Sequence, residues 1–455
     1  MLKKSSIELL AEADAFEVVK EVQEFFSDYI PITSSHFSLN LACPPHSLWS
    51  RDAFRTAAAA SNSSSSGLGG SAGFLNEWEP ESLERHTQGL VAVLLSLKKR
   101  PLIRYERMSG MARRLGEEIV YQMNQSQQSL FDMRRSDVAP LLLILDRRND
   151  PVTPLLSQWT YQAMVHEVFG IRNGRVNLQT APGVKPELKE IVLSVDQDPF
   201  FNANLYDNFG DLGASIKNYV LEYQSRTSSH SKIDTVQDMK KFVEEYPEFR
   251  KLGGNVSKHV TLLGELSRLV EKDRMLEVSE LEQSLASQES HTSDLQTLQR
   301  LLESSDIAQE AKIRLAILYA LRYQRSSYNQ ISNVVKQLLA IGVAESRAAL
   351  VYVMLNIAGA EQRQDDLFAN EGLFSRGKSA LKGLKGVENV YTQHSPHLSE
   401  TVGNLMKGRL KDTSYPFVGP APASTLQKPQ DVILFIIGGS TYEGELWRTP
   451  FLMID

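Results

Sequence analysis

A single cysteine, Cys43, in 455 residues has nothing inside the chain to pair with. That excludes an intramolecular disulfide framework and suits a reducing compartment. There is no basic excess: 49 Lys and Arg stand against 55 Asp and Glu, a formal net charge of -6. A nucleic acid as main partner would favour the opposite balance, so none is expected. Long hydrophobic runs are missing too. The longest apolar stretch in a helical context, Ala348 to Ala360, falls short of the roughly 20 residues a bilayer crossing needs, and Asn356 interrupts it. Lysines near Met1 have no apolar core behind them, so no signal peptide is read and a cytoplasmic protein is expected. Cys43 stands alone, and His394 and His397 sit too close across a proline for zinc spacing. No nucleophile with a convincing base can be named, and no metal or cofactor is expected.

With 42% hydrophobic and 23% charged residues, the chain is globular and long enough for two or three domains. Ala139 to Gly170 is its most informative stretch. Leu141 to Leu145 is apolar at every position, which predicts a parallel strand covered on both faces. Asp146, Arg147, Arg148 and Asp150 follow at once. Thr153 before Pro154 predicts a cap and a helix starting there, with Leu155, Leu156, Trp159, Ala163, Met164 and Val168 inward and Gly170 as its stop.

Ligands of open α/β sheets bind outside the carboxyl ends of the strands, so Asp146 and Asp150 admit a phosphatase or phosphotransferase reading. A magnesium-dependent aspartyl nucleophile needs a second Asp two residues after the first, and Arg148 stands there. The structural alternative is an ion-pair and turn-capping cluster of Asp146, Arg147 and Asp150. Gly372 to Ser379, GLFSRGKS, matches P-loop spacing with Lys378. Such a loop must be delivered by a buried strand, and the preceding GAEQRQDDLFANE is polar. Gly438 and Gly439 do follow an apolar strand, Val432 to Ile437, but lack dinucleotide-fingerprint spacing and predict a tight turn. The basic cluster Arg376, Lys378, Lys382 and Lys385 reads as a solvated face.

Strand and helix alternate early: a helix over Ile7–Tyr29, a short strand over Phe37–Leu41, a helix over Leu83–Lys98, a strand over Leu102–Tyr105 and a helix over Met111–Met123. Ala57 to Gly73 is too poor in bulky apolar residues to order itself and predicts a flexible insertion. Helical periods dominate from Lys232 to about Lys411. Within them, Met239, Phe242, Val243 and Tyr246 form one stripe, Pro247 breaks it, and a second runs from Val256 through Val260, Leu263, Leu266, Leu269 and Val270 towards Leu285. A helical hairpin over about 232–290 is predicted, hinged at Pro247, with one continuous helix from Val256 to Ala286. The fold class is α/β with a large inserted, mainly helical domain. Residues 30–152 and 426–455 form the α/β domain, 153–425 the insertion, and 1–29 a linking helix.

The turn motif, DR, a spacer, DP and then TPLLSQWTYQAM, resembles the signature of the SM family, proteins that bind syntaxins and regulate SNARE-driven vesicle fusion. Further blocks agree in order: LAEADAFEVVKEVQEFFSDY from Leu10, NFGDLGASIKN from Asn208, SKHVTLLGELSRLVEKDRMLEVSELEQSLA from Ser257, KGLKGVENVYTQH from Lys382 and PQDVILFIIGGSTYE from Pro429. The resemblance implies no enzyme. It implies a syntaxin-type SNARE and an assembling SNARE complex as partners, and peripheral association with Golgi or endosomal membranes in transport to the vacuole. It also implies a hairpin, hinged near Pro247, that templates SNARE assembly; Tyr246, Pro247, Phe249, Leu252, Lys258, Leu262 and Leu266 are the expected contact residues. In the family an α/β domain precedes the Leu10 block, and other sequence replaces GELWRTPFLMID after Glu443, so a sheet domain incomplete at both chain ends is expected.

Overall fold

The computed structural model describes residues 4–33, 35–41, 77–125, 130–133, 138–230, 236–287, 290–368, 393–420, 428–442 and 452–454. The insertion expected at 57–73, Cys43 and the P-loop-like 372–379 lie outside them.

In chain order come α1 (Lys4–Ala13), β1 (Ile30–Thr33), β2 (His36–Ser38), α2 (Pro80–Ser96), β3 (Leu102–Tyr105), α3 (Gly110–Gln125) and β4 (Leu141–Asp146). After β4 follow α4 (Tyr161–Phe169), β5 (Arg175–Asn177), β6 (Glu190–Val192), α5 (Pro199–Asn204), α6 (Phe209–His230), α7 (Val236–Lys272), α8 (Met275–Ser287) and α9 (His291–Glu303). Then come α10 (Gln309–Tyr323), α11 (Ile331–Ala340), α12 (Glu345–Ala348), α13 (Leu350–Ala358), α14 (His397–Met406), β7 (Val432–Ile437) and β8 (Leu452–Ile454).

The main sheet runs β1-β2-β8-β7-β4-β3. β3, β4, β7 and β8 are mutually parallel, and β4 meets β7 from Leu141↔Val432 to Asp146↔Ile437 although a long helical stretch separates them in sequence. Every residue of β4 and β7 is buried because both faces are covered. Leu142, Ile144, Ile433 and Phe435 join Leu90, Leu94, Leu115 and Ile119 of α2 and α3 on one side. Leu143, Leu145, Leu434 and Ile436 join Leu398, Val402 and Leu405 of α14 on the other. The free edge of β3 is blunted by the chain at 416–418: Tyr105 N–H donates to Pro416 O and Val418 N–H to Ile103 O. The helices form two more cores, one built by α8 to α11 with α13, the other by α4 to α7 with the β5-β6 ribbon.

Several expectations are corrected. The N-terminal helix stops at Ala13, because the Asp14 carboxylate accepts the N–H groups of Val18 (2.9 Å) and Val19 (2.8 Å) and turns the chain out of helix. Thr153 caps no helix. Its N–H and hydroxyl both donate to Asp150, so Pro154 sits in a short 3-10 turn and α4 starts only at Tyr161. The helix predicted from Val256 to Ala286 is broken after Lys272, where Arg274 takes φ +50°. Pro247 does not interrupt: α7 continues through it, and the hairpin is formed by α6 against α7.

Candidate functional site

The charged turn after β4 folds into a buried polar clasp. Asp146 is 4% exposed, and its carboxylate accepts Arg148 Nε at 3.0 Å and Nη2 at 2.5 Å, the Ser109 hydroxyl at 2.6 Å and its own turn's Arg148 N–H at 3.0 Å. The arginine facing Asp146 is therefore Arg148; Arg147 lies 3.9 Å from Asp150 and donates through Nε to Gly439 O at 3.0 Å. Gly438 and Gly439 adopt φ +93° and +96°, and a Cβ on Gly438 would come within 3.0 Å of Arg147 Cβ, so the close approach requires glycine.

Glu106, at the end of β3, accepts the Asp146 N–H at 2.6 Å. Burial, and then the neighbouring Asp146 charge, push its carboxyl up to about 8, against opposing hydrogen bonds from Asn149 and the Asp146 N–H. Burial alone would also raise Asp150, but the Arg147 and His394 charges and the two Thr153 donors outweigh it and hold that carboxyl below its ordinary range. The clasp reaches into the helical stretch. Asn149 Oδ1 accepts the Gln364 N–H at 2.8 Å, Asp150 accepts the His397 N–H at 3.2 Å, and the Thr153 hydroxyl lies 2.9 Å from His394 Nε2.

Each carboxylate thus has protein partners, and among the described residues no group of three His, Cys, Asp or Glu could hold a metal ion. The cluster joins sheet to helices. The residues leading to 369, Gly359 to Phe368, are turns and bends with no strand to deliver a phosphate loop. Lys378→Ala is expected to leave the melting midpoint and partner binding unchanged. Saturable ATP binding that disappears in this variant would restore the nucleotide reading.

The α6–α7 hairpin is the second site. No α6 residue after Ile216 whose burial is described is buried, and neither is any such α7 residue before Val256, so the distal hairpin lies outside the core. Tyr223 stacks on Phe249 with ring centroids 5.3 Å apart and 15° between planes, and a Cβ on Gly253 would meet the Tyr223 ring at 3.1 Å. Tyr246 is 45% exposed, Pro247 is exposed, and Phe249 and Leu252 are half-buried. Leu262 and Leu266 are wholly buried among Leu212, Ile216 and Met164, which corrects their expected role as partner contacts. Lys258 is likewise turned inward, paired with Asp198.

That pairing centres a network that sequence reasoning missed. Asp198 caps α5 through the Phe201 N–H (3.0 Å) and meets His259 Nε2 at 2.9 Å, while Tyr161 Oη lies 2.7 Å from His259 Nδ1. Burial would raise the Asp198 carboxyl, but His259 and Lys258 outweigh it and hold it far below the usual range. His259 is driven down by its burial, which the Asp198 carboxylate only partly offsets. The Asp198–Pro199 cap is a readable helix start; its contact with α7, 60 residues on, leaves no local signal.

The Sec1 family's sequence profile matches residues 1–443. The chain is 48% identical over 448 residues to vacuolar protein sorting-associated protein 45 of Mus musculus, spanning 98% of this chain and 73% of the mouse protein. It is similar, with a TM-score of 0.84 and 49% identity over 100% of this chain and 77% of the other, to a solved structure described as SM protein Vps45 in complex with Qa SNARE Tlg2. A structure of the Unc18–syntaxin 1 complex from Monosiga brevicollis shares the fold at a TM-score of 0.70 and 17% identity, over 100% of this chain and 78% of that one. With its profile matched almost end to end and nearly half its residues shared with a full-length relative, the chain belongs to the Sec1 family.

Proposed function

We propose that this chain regulates SNARE-driven vesicle fusion by binding a syntaxin-type Qa SNARE, with the α6–α7 hairpin holding SNARE helices in register. The observation that carries this is the hairpin itself, two long helices that leave the core and keep Tyr246 and Leu221 exposed, in a chain similar to Vps45 bound to Tlg2. Its work is binding rather than catalysis. Holding two partners in one register lowers the ordering cost of their zippering. The carriers are Tyr246, Pro247, Phe249 and Leu252 on α7. On a division into an α/β domain (30–152 and 426–455) and a mainly helical one (153–425), the SNARE surface would lie on the latter. Among the described residues no helix is long and apolar enough to cross a membrane, so recruitment to Golgi or endosomal membranes would run through the SNAREs.

Purified Qa SNARE and vesicle-SNARE cytosolic domains titrated against the chain test this reading; absence of saturable binding rejects it. Pro247→Ala refines it. Proline lacks the donor for the carbonyl one turn back and weakens α7 locally, although the helix is continuous through it. The substitution should favour the extended hairpin and strengthen SNARE capture several-fold, bounded by the partner's preference for that state. Equal or weaker binding by a folded Pro247→Ala chain would reject the hinge role.

A further inference from the structure

We propose that Asp198 is a positioning residue: its carboxylate fixes the angle at which the α6–α7 hairpin leaves the core, and so governs SNARE binding without touching a SNARE. The inference rests on the SNARE-binding reading above. Asp198 is itself tied to its own loop and helix. Its N–H donates to Ser194 O at 3.0 Å, its side chain caps α5, and it is 2% exposed. From that point it holds α7 by two adjacent residues, the Lys258 ammonium and the His259 ring. Lys258 also reaches Val192 O at 3.3 Å, which ties α7 to the last residue of β6. On its far side His259 meets Tyr161, the first residue of α4, at 2.7 Å. The other hairpin helix is held through the same place: the Phe200 ring, two residues from Asp198, stacks on Tyr219 of α6 at 4.5 Å and packs against His259 at 4.6 Å.

Outward of Ile216 on α6 and of Val256 on α7 no residue whose burial is described is buried, and Tyr223 of one helix stacks on Phe249 of the other. Tyr246 lies twelve residues beyond Lys258, a lever of about 18 Å at 1.5 Å per residue. A tilt of about 10° at the anchor would move Tyr246 by about 3 Å on that lever, enough to lose side-chain register with a bound helix. Apolar contacts tolerate such sliding. A charge-assisted hydrogen-bond set, with donors fixed on two successive residues of one helix, does not.

The test uses the whole chain with Cys43→Ser, spin-labelled at Glu248→Cys on the hairpin and Ser327→Cys on the body, both exposed. Electron–electron distance measurement should give one narrow distribution for Asp198, a broad one for Asp198→Asn, and recovery towards the narrow one for Asp198→Glu. Without labels, Asp198→Asn should bind the cytosolic domain of a Tlg2-type Qa SNARE about tenfold more weakly, at a temperature where circular dichroism shows it folded. A narrow distribution in Asp198→Asn, or broadening without loss of affinity, overturns the proposal; a merely structural residue would lower the melting midpoint and move neither readout. Should Asp198→Asn fail to fold, Lys258→Met carries the test with the same outcomes, since it leaves the Asp198–His259 contact in place. A parent chain that binds no SNARE would reject the functional reading alone, because the distance distributions still decide whether Asp198 positions the hairpin.

Discussion

Asp146→Ala is expected to lower the unfolding free energy by about 3–5 kcal/mol, the range for removing one partner of a buried ion pair. The carboxylate is 4% exposed and accepts from both sides of the Arg148 guanidinium, from Ser109 and from the Arg148 N–H. Alanine removes the Asp146 acceptor from a mostly buried guanidinium and a buried hydroxyl, and it uncaps the turn that carries Asn149 and Asp150 into the helical stretch. Asp146→Asn should cost less, since one oxygen can still accept from Ser109 or the turn. Equilibrium urea unfolding of the three proteins measures this. An unchanged midpoint for the alanine variant would mean that the carboxylate holds nothing together, and the phosphotransferase reading of this strand end would regain ground.

The parallel strands were legible because β4 and β7 sit between two covered faces, and unbroken apolar runs such as LLLIL and VILFII have few other uses. β3, LIRY at the sheet edge, was readable to the residue without such a run. The hairpin was legible as helix but not in its facing. The apolar stripe placed Val260 inward, yet it is 44% exposed, because polar His259 and Glu265 occupy inward positions beside Val256, Leu262, Leu266 and Val270. A periodicity count scores those two as surface and rotates the helix by about one residue. What makes them tolerable inside is pairing, His259 with Asp198 and Tyr161, Glu265 with Arg268, and only the first requires distant chain. The clasp shows the same limit. Asp146, Arg147 and Asp150 announce an ion-pair cluster, but neither the choice of Arg148 over Arg147 as the partner of Asp146 nor the approach of Glu106 from β3 can be read until the strands are registered.

Glu106 gives the clasp a pH signature. Its carboxyl is raised from an ordinary 4.5 to about 8, first by burial and then by the Asp146 charge, with Asp365 adding to it. A group raised on folding contributes stability that is fully present below its unfolded value and is lost as pH rises through its folded value. Between 4.5 and 8 the unfolded chain has released this proton while the folded chain still holds it, so each pH unit costs the folded state about 1.4 kcal/mol. Glu106→Gln keeps an acceptor for the Asp146 N–H and carries no titrating proton. The stability of the variant relative to the parent should therefore climb by about 3 kcal/mol from pH 5 to pH 8 and then level, because every other titrating group is common to both proteins. Burial of a neutral amide in place of a protonated carboxyl sets the offset, not the slope. Urea unfolding at pH 5, 6, 7 and 8 reads the difference directly. Two parallel stability curves would show that Glu106 ionises in the folded chain as it does in water, and a difference that falls with pH would mean that the carboxylate, not the acid, is the form the clasp holds.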